Sequence, residues 1–187
     1  MTLPSSLRAA AVLAACVFTA ASAQAALQPG DAAPAFGAEA ALGGQTFRFQ
    51  LAEALGRGPV VLYFFPKAFT QGCTLEAHLF AEASERFAAL GATVIGVSAD
   101  DIGTLQRFSV EACRNKFAVA ADAGAQVIRA YDAQLAARPG MADRISYVIG
   151  KDGKVAFAHE GADPEAHVER TLKAVQRLAA PAGAAGS

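Results

Sequence analysis

Val60-Val61-Leu62-Tyr63-Phe64-Phe65-Pro66-Lys67-Ala68-Phe69-Thr70-Gln71-Gly72-Cys73 runs from an unbroken apolar stretch through a short loop to a cysteine. Pro59 to Phe65 is dense in β-branched and aromatic residues, without polar alternation. Such a run predicts a central strand buried on both faces. Pro66 has no N–H to offer a ladder, so the strand should stop there. From Thr70 to Leu90 the apolar period changes to that of a helix. Leu75, Leu79, Phe80, Ala83, Phe87 and Leu90 would share its inner side, and Gly91 would end it. Cys73 is thereby expected in the first turn of a helix that follows a buried strand.

Outward from this stretch the same reading continues. Toward the N-terminus, short strands are expected near Phe36–Ala40 and Thr46–Gln50, with Gly43-Gly44 at their turn and one helical turn over Leu51–Leu55. Toward the C-terminus, Thr93–Val97 is a second buried strand. Asp101 can cap a helix reaching about Arg114. Phe117–Ala120, the short helix Ala125–Tyr131 and the strand Ile145–Ile149 follow. Lys151-Asp152-Gly153 turns into Lys154–His159, completing a hairpin. Ala166–Ala179 is an amphipathic helix with Val168, Leu172, Val175 and Leu178 inward, and residues 181–187 read as a flexible tail. The order is that of an α/β layered sheet. It is compatible with a thioredoxin-like fold, which the pattern alone does not single out.

Composition supports one globular domain. The chain has 187 residues, 53% of them hydrophobic and 18% charged, with a formal net charge of −1. No dense basic run favours nucleic acid. Residues 1–25 are expected to be a secretory signal peptide. Arg8 supplies a positive start, Ala9–Ala21 an apolar stretch, and Ala23-Gln24-Ala25 a small-x-small site before Ala26. The stretch is short of the roughly 20 apolar residues that spanning requires, so no stable membrane association is expected. A lipobox-like Leu13-Ala14-Ala15-Cys16 offers a lipoprotein alternative. The domain expected is thus residues 26–180, exported to a bacterial periplasm. Removing the signal leaves two cysteines, Cys73 and Cys113, which an oxidising compartment allows to pair.

A thiol in a first helical turn sits among free backbone N–H groups at the positive end of the helix dipole, and both favour the ionised sulfur. The thiolate is the nucleophile. The plainer alternative is an inert, packed cysteine.

The stretch Val60–Glu76 resembles the active-site loop of the peroxiredoxin family, whose pattern Pro-x-x-x-Thr-x-x-Cys is matched by Pro66, Thr70 and Cys73. Within that family it is most similar to the bacterioferritin comigratory protein, or peroxiredoxin Q, branch. Gln28–Phe36, Ile95–Asp100 and Arg144–Ile149 with Lys151-Asp152-Gly153 resemble further family segments in the same order. The resemblance implies a thioredoxin-like fold with a central mixed β-sheet flanked by helices. It implies a thiol-dependent peroxidase acting on hydrogen peroxide and organic hydroperoxides, with a thioredoxin-like or other thiol reductant, no cofactor, and a monomer rather than an oligomer. Cys73 would attack the peroxide and become a sulfenic acid. Thr70 would offer its hydroxyl to thiolate and peroxide, Arg144 a permanent positive charge, and Pro66 a shield against water. Glu76 would orient Arg144. Each residue also has a plainer reading: Thr70 a helix N-cap, Arg144 a surface residue, Pro66 a strand end, Glu76 a partner of the helix dipole.

The resemblance departs at the resolving step. Many members of the branch carry a second cysteine five residues after the first, where this chain has His78. Other members resolve from the later helix, so the resemblance implies a Cys73–Cys113 disulfide formed after local unwinding, since bridged Cα atoms lie within about 7 Å. The alternative is a one-cysteine enzyme with Cys113 a packed bystander. His78, His159 and His167 show no metal-ligand spacing, so no metal site is expected, and His78 reads as an exposed helical residue. Two other functions compete. A thioredoxin-type thiol–disulfide oxidoreductase would use Cys-x-x-Cys, but Thr70 occupies the first position. A redox-responsive binding protein would use the fold without turnover.

Overall fold

A computed structural model describes residues 26–180. The expected signal peptide with Cys16, and the expected tail 181–187, lie outside the described residues. Among the described residues no helix is long and apolar enough to cross a membrane.

The strand order follows from the hydrophobic runs. β3 (Val60–Phe64) is buried at every position and stands near the centre of a seven-stranded sheet of order β2-β1-β5-β4-β3-β6-β7. β4 (Thr93–Ser98) pairs parallel with β3, and β5 (Ala118–Ala121) pairs parallel with β4. β6 (Ile145–Ile149) and β7 (Val155–Glu160) form the expected antiparallel hairpin on the other side of β3. β1 (Gly37–Leu42) and β2 (Gln45–Gln50) form a hairpin laid antiparallel against β5. Its turn places Gly43 at φ 56° and Gly44 at φ 79°. Two consecutive left-handed residues match the right-handed twist of the strands, and glycine takes that conformation without penalty.

Alternation along β3 divides the interior in two. Val60, Leu62 and Phe64 face a core with Leu51 of α1 (Leu51–Arg57), Ile128 of α4 (Gln126–Ala130), Tyr131 and Tyr147. Val61, Tyr63 and the following Phe65 face a second core under α2 (Gln71–Ala89), α3 (Ile102–Glu111) and α5 (Pro164–Ala179). The second core also holds Cys73 and Cys113. Side chains near Cys73 therefore come from the odd-numbered positions of β3, and the strand delivers Phe65 and Pro66 to the start of the α2 loop.

Four details differ from the sequence expectation, one of them the exposure of Leu178, which is 46% exposed rather than inward. α3 is capped by Asp101, whose Oδ1 accepts from the Thr104 N–H at 2.9 Å, but it stops at Glu111 rather than near Arg114. Arg114 and Asn115 lie in the left-handed region at φ 51° and 58°, which an α-helix cannot continue through. On α2 the inward stripe is Cys73, Glu76, Ala77, Phe80, Ala81, Ala83 and Phe87, while Leu75 is 41% exposed. Glu76 takes the inner position beside Leu75, while Phe80, Ala83 and Phe87 lie inward as expected. His78 is half-buried rather than exposed.

The Tyr63 ring lies across the adjacent strand. Tyr63 pairs with Gly96, and it stacks on Phe80 at 4.5 Å between ring centroids. A Cβ at Gly96 would stand 2.7 Å from Tyr63 Cζ. The Gly96→Ala variant is expected to lose about 1–3 kcal/mol by overpacking, read from its urea midpoint. An unchanged midpoint would mean that the ring swings aside freely.

Candidate functional site

The loop from Pro66 to Thr70 is short and pinned from outside. Its Ala68 N–H donates to Asp100 Oδ2 at 2.8 Å, and the Ser98 hydroxyl donates to the same oxygen at 2.9 Å. Asp100 thus ties the loop to the end of β4. Phe69 lies in the left-handed region at φ 63°, uncommon for an aromatic residue, and its ring packs edge-on against Phe108. The loop ends at Thr70, the residue before α2.

Cys73 occupies the first turn of α2, as the sequence predicts, and is 2% exposed. Arg144, immediately ahead of β6, reaches it from the neighbouring strand: its Nη2 lies 3.5 Å from Cys73 Sγ. Its Nη1 donates to Glu76 Oε2. One guanidinium fork therefore bridges a sulfur and a carboxylate one helical turn apart on α2. Gly72 leaves room for it, since a Cβ there would stand 3.1 Å from Arg144 Nη2. The Arg144 side chain is 11% exposed and that of Glu76 is fully buried. A cavity of about 420 Å³ lined by Pro66, Asp143, Arg144, Glu160, Gly161 and Ala162 opens beside the guanidinium.

The structure thus brings Cys73, Arg144 and Glu76 into direct contact, with Pro66 beside Arg144. Thr70 sits at the N-cap position, but its hydroxyl makes no cap bond and instead donates to the Lys67 carbonyl at 3.0 Å. Cys113 follows α3, wholly buried, and like Cys73 it is a free thiol. Burial pushes the Cys113 thiol well above its ordinary range. Tyr63 stands near both sulfurs. Burial raises its phenol, and Cys113, Glu76 and Cys73 push the same way. Among the described residues its hydroxyl has no hydrogen-bond partner.

Three contributors carried no assigned role from sequence reasoning. Asp100 belongs to a quoted motif, and only its backbone-binding geometry reveals its part. Ser146 and His167 meet deep behind Arg144, with the hydroxyl 2.8 Å from His167 Nδ1. His167 lies on the buried face of α5 with Val168, Thr171, Leu172 and Val175, and no local pattern marks it. Among the described residues no cluster of His, Cys, Asp and Glu could hold a metal ion.

Burial pushes the Glu76 carboxyl from 4.5 up to about 8, against the pull of Arg144. Burial likewise takes His167 from 6.5 down to about 4. The two act on stability with opposite signs. Between about 4 and 6.5 the unfolded chain binds the His167 proton that the native state refuses, so this term gains stability with rising pH. Between 4.5 and about 8 the native state keeps the Glu76 proton that the unfolded chain releases, so this term loses stability with rising pH. Above 6.5 only the Glu76 term remains of the two. The urea midpoint is expected to fall as pH rises from 6.5 to 8, and Glu76→Gln is expected to flatten that fall. A slope retained in the variant would locate the titration elsewhere.

Known proteins share this arrangement of elements. The sequence pattern described as the AhpC/TSA family matches residues 29–158. "Peroxiredoxin Q, chloroplastic" of Triticum aestivum is 35% identical over 121 residues, covering 64% of this chain and 55% of that protein. The protein of the same description from Arabidopsis thaliana is 34% identical over 117 residues, 60% of this chain and 52% of that one. The chain thus spans about half the length of the curated relatives it matches. Peroxidoxin BcpB from Mycobacterium tuberculosis superposes with a TM-score of 0.74 at 27% identity, over 81% of this chain and 98% of that one. Xanthomonas campestris Peroxiredoxin Q superposes with a TM-score of 0.66 at 24% identity, over 76% and 91%, a likeness of fold.

Proposed function

The chain belongs to the AhpC/TSA family, and on that footing we propose that it is a thiol-dependent peroxidase whose peroxide-attacking residue is Cys73. The observation that carries the proposal is the 3.5 Å approach of Arg144 Nη2 to Cys73 Sγ in a nearly closed site. The curated relatives are named peroxiredoxin Q, and the same chemistry is proposed here.

The Cys73 thiolate attacks one oxygen of the hydroperoxide. A sulfur–oxygen bond forms and the oxygen–oxygen bond breaks, so the leaving oxygen departs as water or alcohol once it takes up a proton, and sulfur is left as the sulfenic acid. Negative charge moves from sulfur onto the leaving oxygen. The Arg144 charge stabilises it along that path at fixed geometry, which is where preorganised electrostatics acts most strongly. Thr70, three residues before Cys73, would turn its hydroxyl from the Lys67 carbonyl to the bound peroxide. Pro66 has no N–H and keeps that side of the cavity free of a competing donor.

Resolution is proposed to run through Cys113. Its sulfur attacks the sulfenic sulfur, water leaves, and a Cys73–Cys113 disulfide forms. A dithiol reductant of thioredoxin type then returns both thiols, itself becoming a disulfide. Cys113 is protonated and buried in the reduced fold, so α3 must open locally first. The backbone favours opening there. α3 ends two residues before Cys113, and Arg114 and Asn115 are held in strained left-handed conformations. The chain is further proposed to act as an exported monomer, a reading that rests on the residue 1–25 pattern and on the branch resemblance.

Peroxide consumption with excess dithiothreitol is expected in the wild type and to fall to the buffer rate in Cys73→Ser. After stoichiometric peroxide, non-reducing mass spectrometry should find a Cys73–Cys113 bond in the wild type, and sulfenic or over-oxidised Cys73 in Cys113→Ser. Turnover surviving in Cys73→Ser would overturn the proposal. An unlinked wild type would remove only the Cys113 step.

A further inference from the structure

The parallel strands end in two different surfaces. Beyond their C-terminal ends lies the Cys73 site. At their other ends, where β4 starts at Thr93 and β5 at Ala118, the fold holds a second cavity of about 350 Å³. Its lining is mostly apolar, with Phe47 and Phe49 of β2, Ile95 of β4 and Phe117. Ala88 of α2 and Ala92 leave the space open, because neither side chain extends beyond a methyl. Leu42 and Phe47, two of the lining residues, are 41% and 42% exposed. Apolar surface that the fold leaves wet is thus gathered on one concave face. Two cations share the lining, Arg57 in the last turn of α1 and Lys116 just after the Arg114-Asn115 turn. No lining residue is acidic. Arg57 forms no salt bridge among the described residues. Lys116 lies 3.3 Å from Glu85, but both side chains are largely in solvent, so that pair yields readily to a competing anion.

We propose that this cavity binds a single-chain amphiphilic carboxylate, a fatty acid in its ionised form, with the alkyl chain against Phe47, Phe49 and Phe117 and the carboxylate at Arg57 and Lys116. The site lies at the end of the sheet away from Cys73 and takes no part in the peroxide chemistry. The two halves of the lining select the ligand class. An uncharged apolar ligand would cover the phenylalanines and leave both cations without a partner. A small anion would meet the cations and bury no apolar surface. A ligand with a hydrocarbon body and an anionic head satisfies both, which is the usual build of a small-molecule site: an apolar lining with a few polar groups that set orientation. The Arg57 fork can take both carboxylate oxygens, while Lys116 adds a point charge. Size selects one chain. A cavity of about 350 Å³ equals roughly a dozen waters at liquid density, room for one alkyl chain of about ten carbons and not for two.

The test is calorimetric titration of the full chain with hexanoate, octanoate and decanoate, each kept below its micelle concentration. One site per chain is expected, with affinity rising by up to about fourfold for each added methylene, the gain from burying one CH₂. Decanol keeps the chain and lacks the charge, and is expected to bind about tenfold more weakly than decanoate. The double variant Arg57→Gln, Lys116→Gln should weaken decanoate by about tenfold and leave decanol unchanged. Ala88→Phe fills the cavity and should abolish the binding of both. Arg57, Lys116 and Ala88 are all exposed, so the variants should keep the wild-type urea midpoint. Absence of decanoate binding, decanol binding as tightly as decanoate, or decanoate binding unmoved by Ala88→Phe overturns the proposal. Cosedimentation with anionic phospholipid vesicles in place of decanoate binding would assign the same residues to a membrane surface, and overturns it too. The chain-length series and the decanol comparison need only the wild type, so they decide even if a variant fails to fold. No readout involves peroxide, so a failure here leaves the peroxidase reading standing.

Discussion

A guanidinium only 11% exposed cannot be left without hydrogen-bond acceptors around it, and the answer to that constraint organises the interior here. Arg144 meets the constraint with two groups from the same turn of α2: the carboxyl of Glu76 and the sulfur of Cys73. Its fork geometry allows both contacts at once, which a lysine ammonium on a flexible stem would not hold in one orientation. The arrangement gives Cys73 a fixed positive neighbour and gives Glu76 a reason to be buried.

The sheet makes this possible. β3 and β6 are adjacent and antiparallel, so the C-terminal end of β3 lies beside the N-terminal start of β6. The first brings the Pro66–Thr70 loop and Cys73, the second brings Arg144. Asp100, at the end of the parallel β4, fastens the loop by accepting from the Ala68 N–H. Three neighbouring strands thus each deliver one component to the same rim. This is where an open α/β sheet gathers its functional groups. The second core beneath, with Tyr63 stacked on Phe80 and crossing Gly96, is the packed floor under both cysteines.

Much of this was legible from residue pattern. The Pro59–Phe65 run reads as an interior strand because it is short, β-branched and aromatic and ends at Pro66, and the change of period at Thr70 placed Cys73 in a first helical turn. Ile145–Ile149 was legible for the same reason as β3, and its bounds coincide with those of the observed strand. The face of α2 was less legible, because hydrophobic periodicity ranks Leu75 above Glu76 for burial. The ranking inverts once an arginine from a distant strand needs a hydrogen-bond acceptor, and a local pattern cannot see that strand. The early end of α3 depends on the left-handed backbone at Arg114 and Asn115, neither a glycine. Ser146 and His167 were hidden for a related reason. Their pairing joins β6 to α5 across 21 positions and follows from packing, not spacing.

The central claim is that the Arg144 charge makes Cys73 a peroxide-reactive sulfur. The most direct measurement is the rate at which hydrogen peroxide converts Cys73 to a dimedone-trapped sulfenic acid, compared between wild type and Arg144→Gln under conditions where both are folded. The rate is predicted to fall by about 10²–10³-fold, the cost of losing one preorganised electrostatic stabiliser. Equal rates in two proteins of equal stability would contradict the account.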